Sequence, residues 1–129
     1  MKRRVAITGL GVVSPLGIGL EAFWTNLMAG KSGISTITSF DITDFPVKIA
    51  GEVKNFDLSE FIEDKKSIRH MDRNSQFALA AAIMAAKDAG FDISKEEAGR
   101  VGTFIGQELV ESVLQKQLLH ELKSVDRLK

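Results

Sequence analysis

The sequence contains no cysteine in its 129 residues. Disulfide bonds, thiolate catalysis and zinc sites with cysteine ligands are therefore excluded from this chain. Histidine is almost as scarce, since only His70 and His120 are present, and these lie far apart without ligand-like spacing to acidic residues. We interpret both as surface histidines, and we predict that the chain holds no metal ion.

An excess charge and a long apolar run are also missing. Lysine and arginine together number 17, as do aspartate and glutamate, and 44% of the residues are hydrophobic. This balance gives no electrostatic basis for binding nucleic acid or an acidic membrane surface. The longest apolar run, Phe77–Ala86, is too short to cross a bilayer, and no signal-type cleavage region follows the basic N-terminus. We expect a cytoplasmic chain of about one modest domain.

The first 30 residues predict an α/β unit. Val5–Ile7 is a short apolar run, typical of a buried parallel strand. Gly9 and Gly11 then permit unusual backbone angles or the close approach of a neighbouring segment, and Pro15 stops the chain from continuing as a strand or helix. A helix is predicted next, ending near Gly30. Its apolar face consists of Leu20, Phe23, Trp24, Leu27 and Met28.

Two segments partly match nucleotide-binding motifs. Gly9–Ser14 is two thirds of a dinucleotide fingerprint, but serine replaces the third glycine and Pro15 keeps a helix from opening there. Gly30–Ser32 resembles the end of a phosphate-binding loop, but Thr25 stands where that loop needs its first glycine. We favour a helix cap and turn for the second segment. A nucleotide-binding domain is the least favoured of three functional alternatives.

The middle of the chain is predicted to be a surface flap without chemistry. After Pro46, the segment Val47–Val53 alternates polar and apolar side chains as an exposed strand does. Phe56 and Phe61 are expected to attach this flap to the core. The interpretation assigns no catalytic or binding residue to the flap.

The second helix is predicted to run from Asp72 to Ala89 and to end at Gly90. Its segment Phe77–Ala86 is apolar on every face, which predicts burial on every face. A chain this short cannot easily surround such a helix, so the sequence predicts a missing partner, either another chain or another half. After this helix, Val101–Ile105 repeats the pattern of a buried strand.

These segments together resemble one family. Val5–Gly17 is similar to the N-terminus of β-ketoacyl-[acyl carrier protein] synthases, especially type II. The likeness covers about residues 1–106, in order and without obvious gaps. It continues through Ala29–Ile34, Ser39–Asp41, Ala50–Asp57, His70–Arg73 and Lys87–Gly90. The resemblance implies an α/β fold of the thiolase type, in which two similar halves form a five-layer α-β-α-β-α sandwich. This chain would form only its N-terminal portion, and the central helix layer would explain the alanine-rich helix.

The chain departs from the family's pattern at Gly106–Val110, where the family has a glycine-rich Gly-Ser-Gly-Ile-Gly-Gly run. The family's cysteine nucleophile and two catalytic histidines lie further downstream than Lys129, and neither His70 nor His120 matches those histidines. The resemblance therefore implies no catalytic, cofactor-binding or metal-binding residue here. It also implies a truncated family member, for which a frameshift, truncation or rearrangement is the simplest origin.

We divide the chain into a β-ketoacyl synthase N-terminal-like region, 1–106, and a divergent helical tail, 107–129. Apolar residues at helical spacing predict an amphipathic helix in the tail. They are Val110, Val113, Leu114, Leu118, Leu122, Val125 and Leu128. A helix folded back on its own domain is favoured over a helix that binds a partner.

The function implied by the resemblance is that of a 3-oxoacyl-[acyl carrier protein] synthase in fatty-acid chain elongation. Such an acyltransferase moves an acyl group to its cysteine and condenses it with malonyl carrier protein, losing carbon dioxide. Acyl carrier protein is the implied partner, and no cofactor is implied. We expect the chain alone to be inactive. The alternative is a non-catalytic fragment or subunit that packs against a partner chain or a second copy.

Overall fold

The computed structural model describes residues 3–106, so the tail predicted at 107–129 lies outside the described residues. The contacts divide the described chain into two compact units. Val12–Asp57 forms the first, here called the hairpin unit. Residues 3–11 and 58–106 belong to the second, here called the helical unit.

The hairpin unit contains two small antiparallel sheets and one helix. Strands β1 (Val13–Ser14) and β2 (Gly17–Ile18) form the first sheet, with a two-residue turn at Pro15 and Leu16. Helix α1 (Leu20–Met28) follows directly. Strands β3 (Ile34–Thr36) and β4 (Ile49–Gly51) form the second sheet. Their register pairs Ile34 with Gly51, Ser35 with Ala50 and Thr36 with Ile49.

Helix α1 ends where the sequence predicts. Gly30 has a φ of 65°, a left-handed conformation that glycine adopts without a steric penalty, and its N–H donates to the Leu27 carbonyl. Lys31 is tied to the same helix, since its Nζ lies 2.8 Å from Asn26 Oδ1 and its N–H donates to the Asn26 carbonyl. The interpretation of this segment as a helix cap and turn is confirmed.

Glu52 fastens the loop between β3 and β4. Its carboxylate accepts hydrogen bonds from the N–H and hydroxyl of Thr38, both 2.9 Å away, and from the N–H of Ser39 at 3.0 Å. Hydrogen bonds from Ser39 and Thr38 lower the pKa of Glu52 from 4.5 to about 2. The exposed strand predicted at Val47–Val53 is confirmed in its central residues, which form β4.

The helical unit is organised around its longest helix. A single 3₁₀ turn (Leu58–Glu60) is followed by α2 (Lys65–Ile68) and α3 (Arg73–Asp88). Two further 3₁₀ turns, Ile93–Lys95 and Ala98–Arg100, follow α3. The buried apolar side chains of this unit are those of Leu58, Ile62, Met71, Leu79 and Ala80.

Helix α3 has the bounds that its sequence predicts. Asp72 caps its N-terminus, because its carboxylate accepts hydrogen bonds from the N–H and hydroxyl of Ser75 at 2.9 and 2.7 Å. Gly90, with a φ of 61°, follows its C-terminal residue Ala89. The predicted burial on every face is wrong for the described residues. Of Phe77–Ala86 only Leu79 and Ala80 are buried, and the others are half-buried.

The two buried strands predicted at Val5–Ile7 and Val101–Ile105 are not formed in the described chain. Val5 is 93% exposed, Ile7 82% and Phe104 96%. A buried strand needs hydrogen-bonded neighbours at its edges and a layer on each face. The two sheets in residues 3–106 contain only β1 to β4, so neither segment has a strand beside it. The strand prediction was therefore wrong for this chain by itself.

The N-terminal segment nevertheless lies in contact with α3, at two glycines. A Cβ atom on Gly11 would overlap the carbonyl oxygen of Ala81 and lie 2.8 Å from the backbone nitrogen of Ala85. A Cβ atom on Gly9 would overlap the Ala85 carbonyl oxygen. Only glycine permits backbone contact this close. The predicted close approach is confirmed at both positions.

A hydrogen bond adds to this contact. The N–H of Leu10, between the two glycines, donates to Asp88 Oδ2 at 2.9 Å. Gly9–Gly11 therefore runs along a helix, and Val13–Ser14 is strand β1, so no helix opens within Gly9–Ser14 and the geometry of a dinucleotide site is missing. The nucleotide-binding alternative is wrong for this segment.

We expect Gly11→Ala to lower the free energy of unfolding by about 1–3 kcal/mol, because the added methyl group overlaps the α3 backbone. Urea denaturation followed by circular dichroism measures this change. Gly99→Ala is the matched control, since no atom lies within 4 Å of a Cβ there. Equal losses in the two variants would contradict the close contact.

We expect Glu52→Gln to increase amide hydrogen exchange at Thr38 and Ser39 severalfold at neutral pH.

Because folding lowers the pKa of Glu52 to about 2, the stabilisation of the folded state by its carboxylate is complete above its unfolded value of 4.5. The stabilisation is lost as the pH falls through 2. The stability difference between parent and variant should therefore shrink between these two pH values. A difference that stays constant down to pH 2 would count against the hydrogen-bonded carboxylate, and exposed Glu96→Gln serves as control.

Candidate functional site

No group of three or more histidine, aspartate or glutamate side chains within residues 3–106 could hold a metal ion. His70 is exposed just after α2, where its N–H donates to the Ser67 carbonyl, and His120 lies outside the described residues. None of the described helices is long and apolar enough to cross a membrane. Exposed surfaces are the candidate functional features of the described residues.

The first is a basic cluster on α2, its C-terminal cap residue and the first residue of α3, here defined as Lys65, Lys66, Arg69 and Arg73. All four side chains are exposed. The Arg73 guanidinium lies 4.9 Å from the centre of the Phe77 ring, a cation–π distance. The cluster thus places four positive charges within nine consecutive residues.

The carboxylates beside the basic cluster are engaged as helix caps. Asp64 accepts hydrogen bonds from the Ser67 hydroxyl at 2.6 Å and from the Lys66 N–H at 3.0 Å, and these bonds lower its pKa. Hydrogen bonds from Ser75 lower the pKa of Asp72 in the same way. Both carboxylates therefore point to backbone and hydroxyl donors at the helix ends. This cluster was not predicted from the sequence, although four cations within nine residues are visible there.

The second surface is the outer face of α1. Asn26 Nδ2 donates to the Leu16 carbonyl in the β1–β2 turn at 2.6 Å, and Asn26 and Phe23 are the two half-buried residues of the helix. A Cβ atom on Gly17 would lie 3.0 Å from the Ala22 Cβ. The helix is thus attached to its own unit through the side that carries Phe23 and Asn26 and through its close approach to Gly17.

The apolar face of α1 is left uncovered. We define the α1 stripe as Leu20, Trp24, Leu27 and Met28, which are 42%, 56%, 44% and 69% exposed. Phe23, the fifth residue of the predicted face, is half-buried. The sequence predicts both the helix and its apolar face, and both are confirmed. The structure adds that this unit does not bury that face.

Another exposed apolar pair lies in the loop between β3 and β4. The rings of Phe40 and Phe45 pack edge to face with their centres 5.5 Å apart, and they are 53% and 52% exposed. The loop is held by the Glu52 hydrogen bonds and by Asp41, which accepts from the Thr43 N–H and hydroxyl. This pair is comparable in exposure to Trp24.

Comparison with known proteins identifies the relatives of this chain. Residues 2–126 match the family model described as β-ketoacyl synthase, N-terminal domain. The chain is 51% identical over 105 residues to 3-oxoacyl-[acyl-carrier-protein] synthase 2 of Coxiella burnetii, covering 81% of this chain and 25% of that protein. It is 43% identical over 116 residues to the synthase 2 of Vibrio cholerae, covering 86% and 28%.

A solved structure agrees with these relatives. The ishigamide ketosynthase/chain length factor superposes with a TM-score of 0.67 at 40% sequence identity, covering 73% of this chain and 23% of that one. The chain thus spans about a quarter of the length of the proteins it matches. The family match continues past residue 106, and the boundary drawn there stays a prediction. With the family model matching nearly the whole sequence, the chain belongs to the β-ketoacyl synthase N-terminal domain family.

Proposed function

We propose that these 129 residues supply the N-terminal part of the fold of a 3-oxoacyl-[acyl carrier protein] synthase and none of its reacting groups. The observation that carries this proposal is a family match over residues 2–126 in a chain without cysteine. The family's acyl transfer needs a thiolate nucleophile, and its condensation needs two histidines. In this proposal those groups come from protein outside these residues, so the chain alone is inactive.

In this proposal, the chain positions the segment that carries Val5 and Ile7 so that it can become a strand of the complete fold. The contact of Gly9 and Gly11 with α3, together with the hydrogen bond from Leu10 to Asp88, fixes where the segment before them enters. The apolar side chains of Val5 and Ile7 remain exposed on that segment. Such a segment is suited to become a central strand once neighbouring strands and layers are present.

The first test uses a chimera and the unmodified chain. In the chimera, the 105-residue segment of the Coxiella burnetii relative that matches this chain is replaced by the matching residues of this chain. We expect measurable carbon–carbon bond formation from acyl and malonyl carrier proteins by the chimera, abolished by thiol alkylation. The 129-residue chain should give no turnover above a no-enzyme control.

Two outcomes would contradict the proposal. Turnover by the purified chain, with contaminating host synthase excluded, would mean that the reaction needs no thiolate. A folded but inactive chimera would mean that these residues do not supply a functional N-terminal part. The parent relative, assayed beside the chimera, controls for the substrates and conditions.

We further propose that the basic cluster contacts an acidic surface of the acyl carrier protein. The four exposed cations between positions 65 and 73 support this, because charge complementarity steers association and is weakened by salt. The relatives' name includes acyl carrier protein, and the resemblance implies the same partner here. The capping roles of Asp64 and Asp72 keep their carboxylates at the helix ends beside these cations.

For this contact, we expect the double substitution Lys65→Glu and Lys66→Glu in the chimera to raise KM for malonyl carrier protein about tenfold. The value of kcat should change little, because neither lysine touches the reacting groups in this proposal. Lys54→Glu, which reverses one exposed charge in the hairpin unit, is the control and should leave KM within about twofold. An unchanged KM in the double variant at low salt would refute the contact.

The second candidate function is a non-catalytic subunit that packs against a partner chain. The name of the structural neighbour, a ketosynthase/chain length factor, supports this second candidate because it pairs a ketosynthase with another component. A folded, inactive chimera together with a stable complex between this chain and an intact ketosynthase would support it over the first proposal.

A further inference from the structure

Helix α1 turns only part of its apolar face toward its own unit, since Phe23 is half-buried and the other four apolar residues of that face are exposed. Asn26 and Ala22 lie on the side that meets the β1–β2 hairpin, where Asn26 donates to the Leu16 carbonyl and Ala22 lies beside Gly17. The side chains of Leu20, Trp24, Leu27 and Met28 are on the exposed face. A helix normally turns its apolar stripe toward the core, so this arrangement requires another surface to cover the stripe.

Resting on the proposed function, we propose that the α1 stripe is the surface on which the part of the ketosynthase fold outside these residues packs. The length of the relatives supports this occupant, because the matched region is only 25% of the Coxiella burnetii protein. Three quarters of such a fold is therefore available to cover an apolar face on its first quarter. Leu20, Trp24, Leu27 and Met28 would become core residues of the assembled fold.

The charge of α1 argues against a lipid surface. Its nine residues contain no lysine or arginine, and Glu21 is its one ionisable side chain. Helices that lie on anionic membranes combine an apolar face with basic residues. An uncharged stripe beside a single carboxylate is better suited to an apolar protein surface.

The size of the stripe argues against a second copy. Four side chains at these exposures offer about 400 Å² per copy, or about 800 Å² for a two-fold pair, below the 1,200–2,000 Å² of stable interfaces. Within a single folded chain, the α1 stripe does not have to provide all of the stabilising contact area by itself. The stripe is thus large enough for an internal packing surface and too small for a stable dimer by itself.

Trp24 makes the test direct, because it is the only tryptophan in the chain. Biosynthetic 5-fluorotryptophan gives the full chain a single ¹⁹F signal, and Trp24→Phe identifies the corresponding signal in the chimera. A soluble gadolinium chelate then reports the solvent accessibility of that ring through its relaxation enhancement. We expect the enhancement at Trp24 to be at least threefold smaller in the chimera than in the full chain.

A matched probe controls for general tightening of the protein. Phe40→Trp in the Trp24→Phe background places the reporter at a site of similar exposure, 53% against 56%. We expect its relaxation enhancement to differ by less than a factor of two between full chain and chimera. Equal protection at the two sites would overturn the assignment to the α1 stripe.

A packing variant gives an independent readout. Met28→Gln should lower the melting temperature of the chimera by several degrees, because it places an amide in an apolar contact. The same substitution should leave the full chain within about one degree, since Met28 is 69% exposed there. Equal shifts in both proteins would contradict the proposal.

The remaining outcomes separate this inference from the proposed function. An active chimera in which Trp24 stays exposed overturns the inference and leaves the proposed function intact. An unfolded chimera overturns both.

In the full chain, Trp24 protection that grows with concentration indicates a second copy, and protection lost on deleting 107–129 indicates the chain's own tail. Protection by phosphatidylcholine–phosphatidylglycerol vesicles indicates a membrane. Each of these three results overturns the inference.

Discussion

The contact between the N-terminal glycines and helix α3 is the constraint on which the helical unit depends. At Gly9 and Gly11 the backbone approaches the carbonyl oxygens of Ala85 and Ala81 too closely for any Cβ atom. Small residues on both sides make this approach possible, and the hydrogen bond from Leu10 to Asp88 fixes its register along the helix. The position of the segment Val5–Ile7 follows from this contact, because that segment leads directly into it.

The two units bury unequal amounts of their apolar side chains. The helical unit has a small core around Leu58 and Leu79, whose side chains are each 1% exposed. In the hairpin unit, Phe56 is the buried large apolar residue among those described, while Trp24 and Met28 are more than half exposed. Exposed apolar surface of this kind normally marks an interaction site. The relatives of this chain are about four times longer than the region they share with it, and we propose that their remaining part covers this surface.

Local sequence signals predicted the helices well, because their ends depend on nearby residues. Asp72 and Gly90 define the bounds of α3 through a side-chain cap and a left-handed glycine, and Gly30 does the same for α1. The strand at Val5–Ile7 was predicted from its apolar run, but a strand forms only beside another strand, and the described chain provides none there. The strand prediction was therefore wrong because the segment lacks neighbouring strands in the described chain, and not because of its own residues.

The candidate surfaces could be predicted only in part. The apolar face of α1 is visible in the sequence. Its exposure depends on which side of the helix faces the hairpin, and this is set by the tertiary contacts of Asn26 with Leu16 and of Ala22 with Gly17. The hydrogen bonds of Glu52 join it to Thr38 and Ser39, which precede it by 14 and 13 positions in the sequence. No local pattern indicates a contact over that separation. The absence of cysteine, by contrast, could be read directly and limits the chemistry of this chain without any structure.

The central claim is that the apolar segments of this chain become ordered strands when the rest of a ketosynthase fold surrounds them. Amide hydrogen exchange at Val5–Ile7 and Val101–Ile105, measured in the full chain and in the Coxiella burnetii chimera, tests this most directly. We expect rapid exchange at both segments in the chain alone and protection of at least about a hundredfold in the chimera. Equal exchange in the two proteins would contradict it.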